Sequence, residues 1–159
     1  MADRAPGRPG EQPTRSTRSG PGVVLVALYG LLALAATGRS VLQITEYFDR
    51  APLAYILSAV AAVIYLVATV ALARGDRTSR RVALAAISVE LAGVLVVGLA
   101  SYLAPQAFPD KTVWSHFGSG YGYVPLVLPV LGLLWLRRTG RSPRDGDGDT
   151  AAGGGSVAA

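Results

Sequence analysis

Few residues in this chain have the type and setting to do chemistry, and the most prominent is Glu90. It stands inside the apolar stretch Val82–Ala104, between Arg80-Arg81 on one side and Pro105 on the other. At about 1.5 Å per residue a helix over that stretch reaches roughly 34 Å, enough for a hydrocarbon core of about 30 Å. Glu90 then lies about 12 Å in from the arginines. An acid at that depth costs a few kcal/mol on insertion scales, so it must face protein or water. At about 100° per residue, Ala83, Ala86, Ile87, Gly93, Val94, Val97, Ser101 and Ala104 share its face within roughly 60°, while Leu84, Leu91, Leu95, Leu99 and Leu103 fall elsewhere. Small residues around one acid read as a packed face, and the leucines as a lipid face. The chemistry open to Glu90 is a structural hydrogen bond to another helix, a proton or cation site, or a contact to a partner's membrane helix; the first is the expected one.

Other polar groups are candidates for the same site. Arg39 and Gln43 recur at helical spacing and could line a polar approach, with Ser101 on the Glu90 face. Arg39 and Glu90 differ in depth by about 13 Å on upright helices, so direct pairing would need tilt or a bridging water. Tyr55 and Tyr65 could supply hydroxyls to Glu90, although packing is their expected role. Glu46 and Arg50 sit at i, i+4 and can pair. His116 is the one histidine, without the companions a metal site needs, and Cys is absent, which excludes disulfides and thiolate ligands. Asp145-Gly146-Asp147-Gly148-Asp149 lacks the glutamate of an EF-hand loop. No metal, cofactor or catalytic constellation is expected.

The elements that position these groups are membrane helices. The chain has 159 residues, 51% hydrophobic and only 16% charged, with the apolar residues gathered in runs, the pattern of a membrane protein. The sequence predicts an all-α bundle of four transmembrane helices, over residues 22–44, 52–73, 82–104 and 121–136. Residues 1–21 read as a disordered basic tail and 137–159 as a second disordered tail. Ala33-Leu34-Ala35 after an apolar run leaves signal-peptide cleavage as an alternative for the first span. Pro52 suits a first helical turn, with Asp49 as its expected cap. In the longest connection Asp110 is expected to cap a short helix that Gly118 ends. Trp114, Phe117, Tyr121, Tyr123 and Trp135 are expected as interface aromatics, and Pro125 and Pro129 as kink sites in the last helix. Gly120-Tyr121-Gly122 resembles part of a potassium-filter motif over three residues only; a glycine-rich lead-in to the last span is the better account.

Net charge is +5 and all basic residues but Lys111 are arginines. They flank the apolar runs and form no separate module, which argues against nucleic acid. Arg4, Arg8, Arg15 and Arg18, then Arg74, Arg77, Arg80 and Arg81, then Arg137, Arg138, Arg141 and Arg144 occupy alternate connections; Arg39, Arg50 and Lys111 occupy the others. By the positive-inside rule both termini and the 74–81 turn are cytoplasmic. That placement disposes of an adhesion role for Arg74-Gly75-Asp76.

From Gly38 to Leu136, over GRSVLQI, APLAYILSAVAA, VELAGVLVVG and VWSHFGSGYGYVPLVLPVLGLLWL, the chain resembles a group of small actinobacterial four-pass membrane proteins with no assigned activity. The resemblance implies the architecture and a bacterial cytoplasmic-membrane location, and carries over no site residue. The expected function is a non-enzymatic structural or interaction component, partnered by lipid and by a second copy or another membrane protein. A small proton- or cation-coupled transporter built on Glu90 is the alternative.

Overall fold

The computed structural model describes residues 20–139. The two tails read from the sequence lie almost wholly outside it, but their inner edges move. Pro21 already begins the first helix, and the last helix runs on to Thr139.

Four α-helices account for most of the described residues: α1 Pro21–Tyr47, α2 Pro52–Arg74, α3 Arg77–Leu103 and α4 Val124–Thr139. Among the described residues there is no strand. Proline sets two of the starts. Pro21 and Pro52 open α1 and α2, where a missing N–H costs nothing and the fixed φ favours the helix. Ala51, not Asp49, is the cap residue of α2, and no side chain caps it. Asp49 lies one turn earlier, in the 3-10 turn Phe48–Arg50 that closes the α1–α2 hairpin.

The α2–α3 link shows why α3 starts earlier than its apolar run. Gly75 ends α2 in the left-handed region, φ 70°, and its N–H bonds the Ala71 carbonyl. Asp76 follows at once as the cap of α3, accepting from the Thr78 and Ser79 N–H groups at 3.1 Å each. The Ser79 hydroxyl donates to the same carboxylate. This cap starts the helix five residues before Val82, so Arg77, Arg80 and Arg81 belong to α3 rather than to a loop.

The bundle interior is apolar and rich in small residues, with a few polar groups set into it, and its outer surface is apolar too. Ala33, Ala36 and Ser40 of α1 face Ala61, Ala62, Tyr65 and Ala68 of α2 in the core. Leu31, Leu34, Val63, Val96 and Leu103 are each more than 60% exposed. So large an apolar surface belongs in lipid rather than water. The α1 stretch, α2 and α3 are each long and apolar enough to cross a membrane. With 16 residues, α4 covers about 24 Å. It completes a fourth span only together with the segment Ser115–Tyr121, from which it turns by 98°. At one end of the bundle gather the end of α2, the start of α3 and the end of α4, where an Arg80 Nη donates to the Leu136 carbonyl. This is the arginine end. The α1–α2 hairpin and the 104–123 loop share the other.

Candidate functional site

The Glu90 face is as the helical wheel has it. Ala83, Ile87, Glu90, Val94, Val97 and Ser101 are buried, and Leu95, Leu99 and Leu103 point outward, but Leu84 and Leu91, expected on the lipid face, are half-buried, Leu84 against the core. Glu90 has no exposed surface. Its Oε2 accepts a hydrogen bond of 2.7 Å from the hydroxyl of Tyr29 on α1. Its Oε1 has no hydrogen-bond partner.

From this bond the contacts spread to every helix. The Tyr29 ring lies 6.3 Å from that of Tyr65 on α2, tilted by 55°. The Tyr65 oxygen accepts from Nε1 of Trp114 at 3.0 Å. The Trp114 indole returns to α3 at Gly93, where an added Cβ would fall 2.7 Å from the ring. On the α4 side, Gly132 faces Ile87 and the Tyr29 hydroxyl, at 3.2 and 3.7 Å from an added Cβ. A run of buried polar and aromatic groups thus joins Glu90, Tyr29, Tyr65 and Trp114 and binds the four helices and the long loop together.

The loop is locked by its own hydroxyls. Thr112 Oγ1 accepts from the N–H groups of Trp114 and Ser115 at 3.0 and 2.9 Å, and Ser115 Oγ accepts from the Thr112 N–H at 2.9 Å. His116, Phe117 and Gly118 then follow in the left-handed region, with φ of 52°, 58° and 79°. Gly118 adopts this region freely, but for His116 and Phe117 it costs roughly 1–3 kcal/mol each, a strain that persists only where the surroundings hold it. Here Ser101 Oγ accepts from the His116 N–H at 2.8 Å, Phe117 lies against Gly98, and Gly118 sits under the Pro125 ring. The Tyr102 ring meets the His116 ring edge-on at 4.6 Å.

Several expected roles change. Ser101 serves the loop, about 16 Å along α3 from Glu90. Arg39 and Gln43 bond each other at 3.2 Å, and Arg39 donates to the Lys111 carbonyl at 2.7 Å, which ties α1 to the loop rather than to Glu90. Arg50 pairs at 3.5 Å with Asp110, not Glu46. Asp110 also accepts from the Tyr55 hydroxyl, so it anchors the loop to α2 and caps no helix. Trp114 is 3% exposed, a core plug rather than an interface aromatic. Phe117, Tyr121 and Trp135 are half-buried and Tyr123 is exposed. Pro125 falls in the first turn of α4 and needs no kink; Pro129 lies inside that helix and deprives the Pro125 carbonyl of its helical donor. The residue the sequence reading missed is Tyr29. Its signal was there: it is the one tyrosine within the first apolar run, and a hydroxyl in that setting needs a partner.

Chemically the arrangement offers one carboxyl, two phenols and an indole N–H in an apolar core. Among the described residues no three His, Asp or Glu side chains gather to hold a metal. Fold and site together define an all-helical, membrane-spanning bundle clasped by a buried acid. Comparison with protein-family models, curated proteins and solved structures gives no match.

Proposed function

We propose that this chain is a non-enzymatic structural or interaction component of a bacterial cytoplasmic membrane, with its termini and the 74–81 turn on the cytoplasmic side. The arrangement of arginines supports the orientation, and the long apolar helices with their exposed apolar faces support the membrane. The observation that carries the role is the Glu90–Tyr29 bond. The one acid in the bundle core is spent on holding α3 to α1, with no exposed surface left for a substrate. What the molecule offers outward is apolar helix surface, suited to another membrane helix.

The test is purification in mild detergent followed by mass measurement of the intact particle. A stable particle holding a second copy or a second membrane protein is expected. A bare monomer that carries a cation or proton flux in liposomes would overturn the reading.

One observation favours a second reading, a small proton- or cation-coupled transporter. Glu90 Oε1 is buried with no partner, so one acceptor position remains for a proton or cation. On that reading Glu90→Gln abolishes flux in liposomes and leaves the fold intact; flux retained by this variant refutes it.

A further inference from the structure

At the arginine end a groove of about 380 Å³ runs between α2 and α3. Its walls are Leu66, Val67, Val70 and Val82, and its mouth carries Arg74 and Thr78. All four wall residues are at least 40% exposed. From Arg74 to Leu66 the groove follows α2 for about 12 Å, close to the hydrocarbon depth of one leaflet, about 15 Å. An apolar channel of one leaflet's depth, closed at its end by an exposed cation, has the shape of a lipid's chain and headgroup.

Charge decides which lipid. Arg77 and Arg81, in the first turns of α3, lie at the same end as Arg74, and all three are exposed. The nearby acid, Asp76, is occupied by the Thr78 and Ser79 N–H groups and the Ser79 hydroxyl. Arg80 is turned away to the Leu136 carbonyl. The mouth is therefore positive, with its acid engaged, and the first turn of α3 adds the partial positive charge of a helix start. A zwitterionic headgroup would bring its own cation into this field; an anionic one brings only the complementary charge.

We propose that the α2–α3 groove is a binding site for an anionic phospholipid, its phosphate held by Arg74 and Thr78 and one acyl chain laid along Leu66, Val70 and Val82. The site requires only that the arginine end stand in a headgroup layer, and it is independent of the role proposed for Glu90. Basic residues at the mouth of an interhelical groove are a recurrent basis of anionic-lipid recognition.

The experiment is native mass spectrometry of the full chain, stripped of lipid in detergent and titrated with phosphatidylglycerol or with phosphatidylcholine of identical chains. Phosphatidylglycerol is expected to be retained about fivefold more tightly, the worth of one arginine near a membrane surface. Arg74→Gln should reduce it to the phosphatidylcholine level, and Val70→Trp, which fills the groove, should lower retention of both lipids. Arg50→Gln, at the opposite end, should change nothing. Glycerol phosphate, a headgroup without chains, should not compete. Equal retention of the two lipids, retention unmoved by Arg74→Gln, or displacement by glycerol phosphate would each overturn the site. Helical circular dichroism and a monodisperse gel-filtration peak qualify each variant; should Val70→Trp fail them, the Arg74→Gln comparison still decides.

Discussion

If the Tyr29–Glu90 bond clasps α1 to α3, removing it must cost measurable stability, and the two residues must be coupled. Tyr29→Phe deletes the hydroxyl while keeping the ring that packs on Tyr65, so packing changes little. It leaves Oε2 of a wholly buried carboxyl without its 2.7 Å donor, beside an Oε1 that already lacks one. In membrane proteins such interhelical bonds average about 0.6 kcal/mol and reach about 1.7. An acceptor left unsatisfied in an apolar core costs about 1–3 kcal/mol. With Glu90 wholly buried, the expected loss for Tyr29→Phe is about 1–2 kcal/mol. Glu90→Leu should cost a similar amount, and the double variant little more than either alone, giving a coupling of about 1 kcal/mol. The assay is reversible unfolding in mixed micelles of mild detergent and dodecyl sulfate, followed by helical circular dichroism. Additive losses, with a coupling under about 0.3 kcal/mol, would mean that the two groups meet without holding the bundle, and the clasp reasoning would be wrong.

Gly93→Ala should be overpacked by the Trp114 indole, which an added Cβ would meet at 2.7 Å. A loss of about 1–3 kcal/mol is expected, relieved when Trp114 is shortened to Leu in the same chain, with both read by the same unfolding assay. Asp76 makes a pH-dependent contribution. The Ser79 hydroxyl, then the Ser79 and Thr78 N–H groups, hold its carboxyl below the usual aspartate range. A carboxyl depressed by folding contributes its stabilisation above the ordinary aspartate pKa and loses it as pH falls through the lowered one. Unfolding followed from neutral pH down past that range should show a smaller loss in Asp76→Ala than in the wild type, with the variant already less stable at neutral pH for want of a cap.

The helices were legible because each is marked twice, by an apolar run and by a terminator. Pro52, Gly75 and Pro105 punctuate the chain as their backbone chemistry requires, and the inward face of α3 follows from the 3.6-residue period alone. The partner of Glu90 was not legible. Periodicity fixes which residues share a face of one helix, but leaves open which face of α1 meets it and at what height. Tyr29, Tyr55 and Tyr65 are equivalent by type, and only the register between helices assigns Tyr29 to Glu90, Tyr65 to Trp114 and Tyr55 to Asp110. Trp114 misled for a related reason. A tryptophan beside an apolar run fits the interface by composition, whereas its burial depends on the notch at Gly93, a tertiary fact.

The short fourth helix and the strained loop are two sides of one arrangement. The helix α4 falls short of a bilayer's hydrocarbon thickness, and the segment Ser115–Tyr121 ahead of it, turned from it by 98°, packs on α3 with non-helical backbone at His116, Phe117 and Gly118. In a membrane such backbone survives only where protein satisfies its N–H and C=O groups. Here side chains do so: Thr112 and Ser115 bond each other's backbone, and Ser101, from the wall of α3, takes the His116 N–H at the first left-handed residue. Ser101→Ala should therefore loosen the loop without unwinding α3, since the Ser101 hydroxyl's other bond, to the Gly98 carbonyl at 2.8 Å, only supplements a helical carbonyl. A cost of about 1–3 kcal/mol is expected from the orphaned N–H. Amide hydrogen exchange should locate that cost, with faster exchange confined to residues 115–118 and unchanged protection at Glu90. Should exchange rise equally along α3, Ser101 would be a support of the helix, and the loop would owe its strained path to the Gly98 and Pro125 contacts alone.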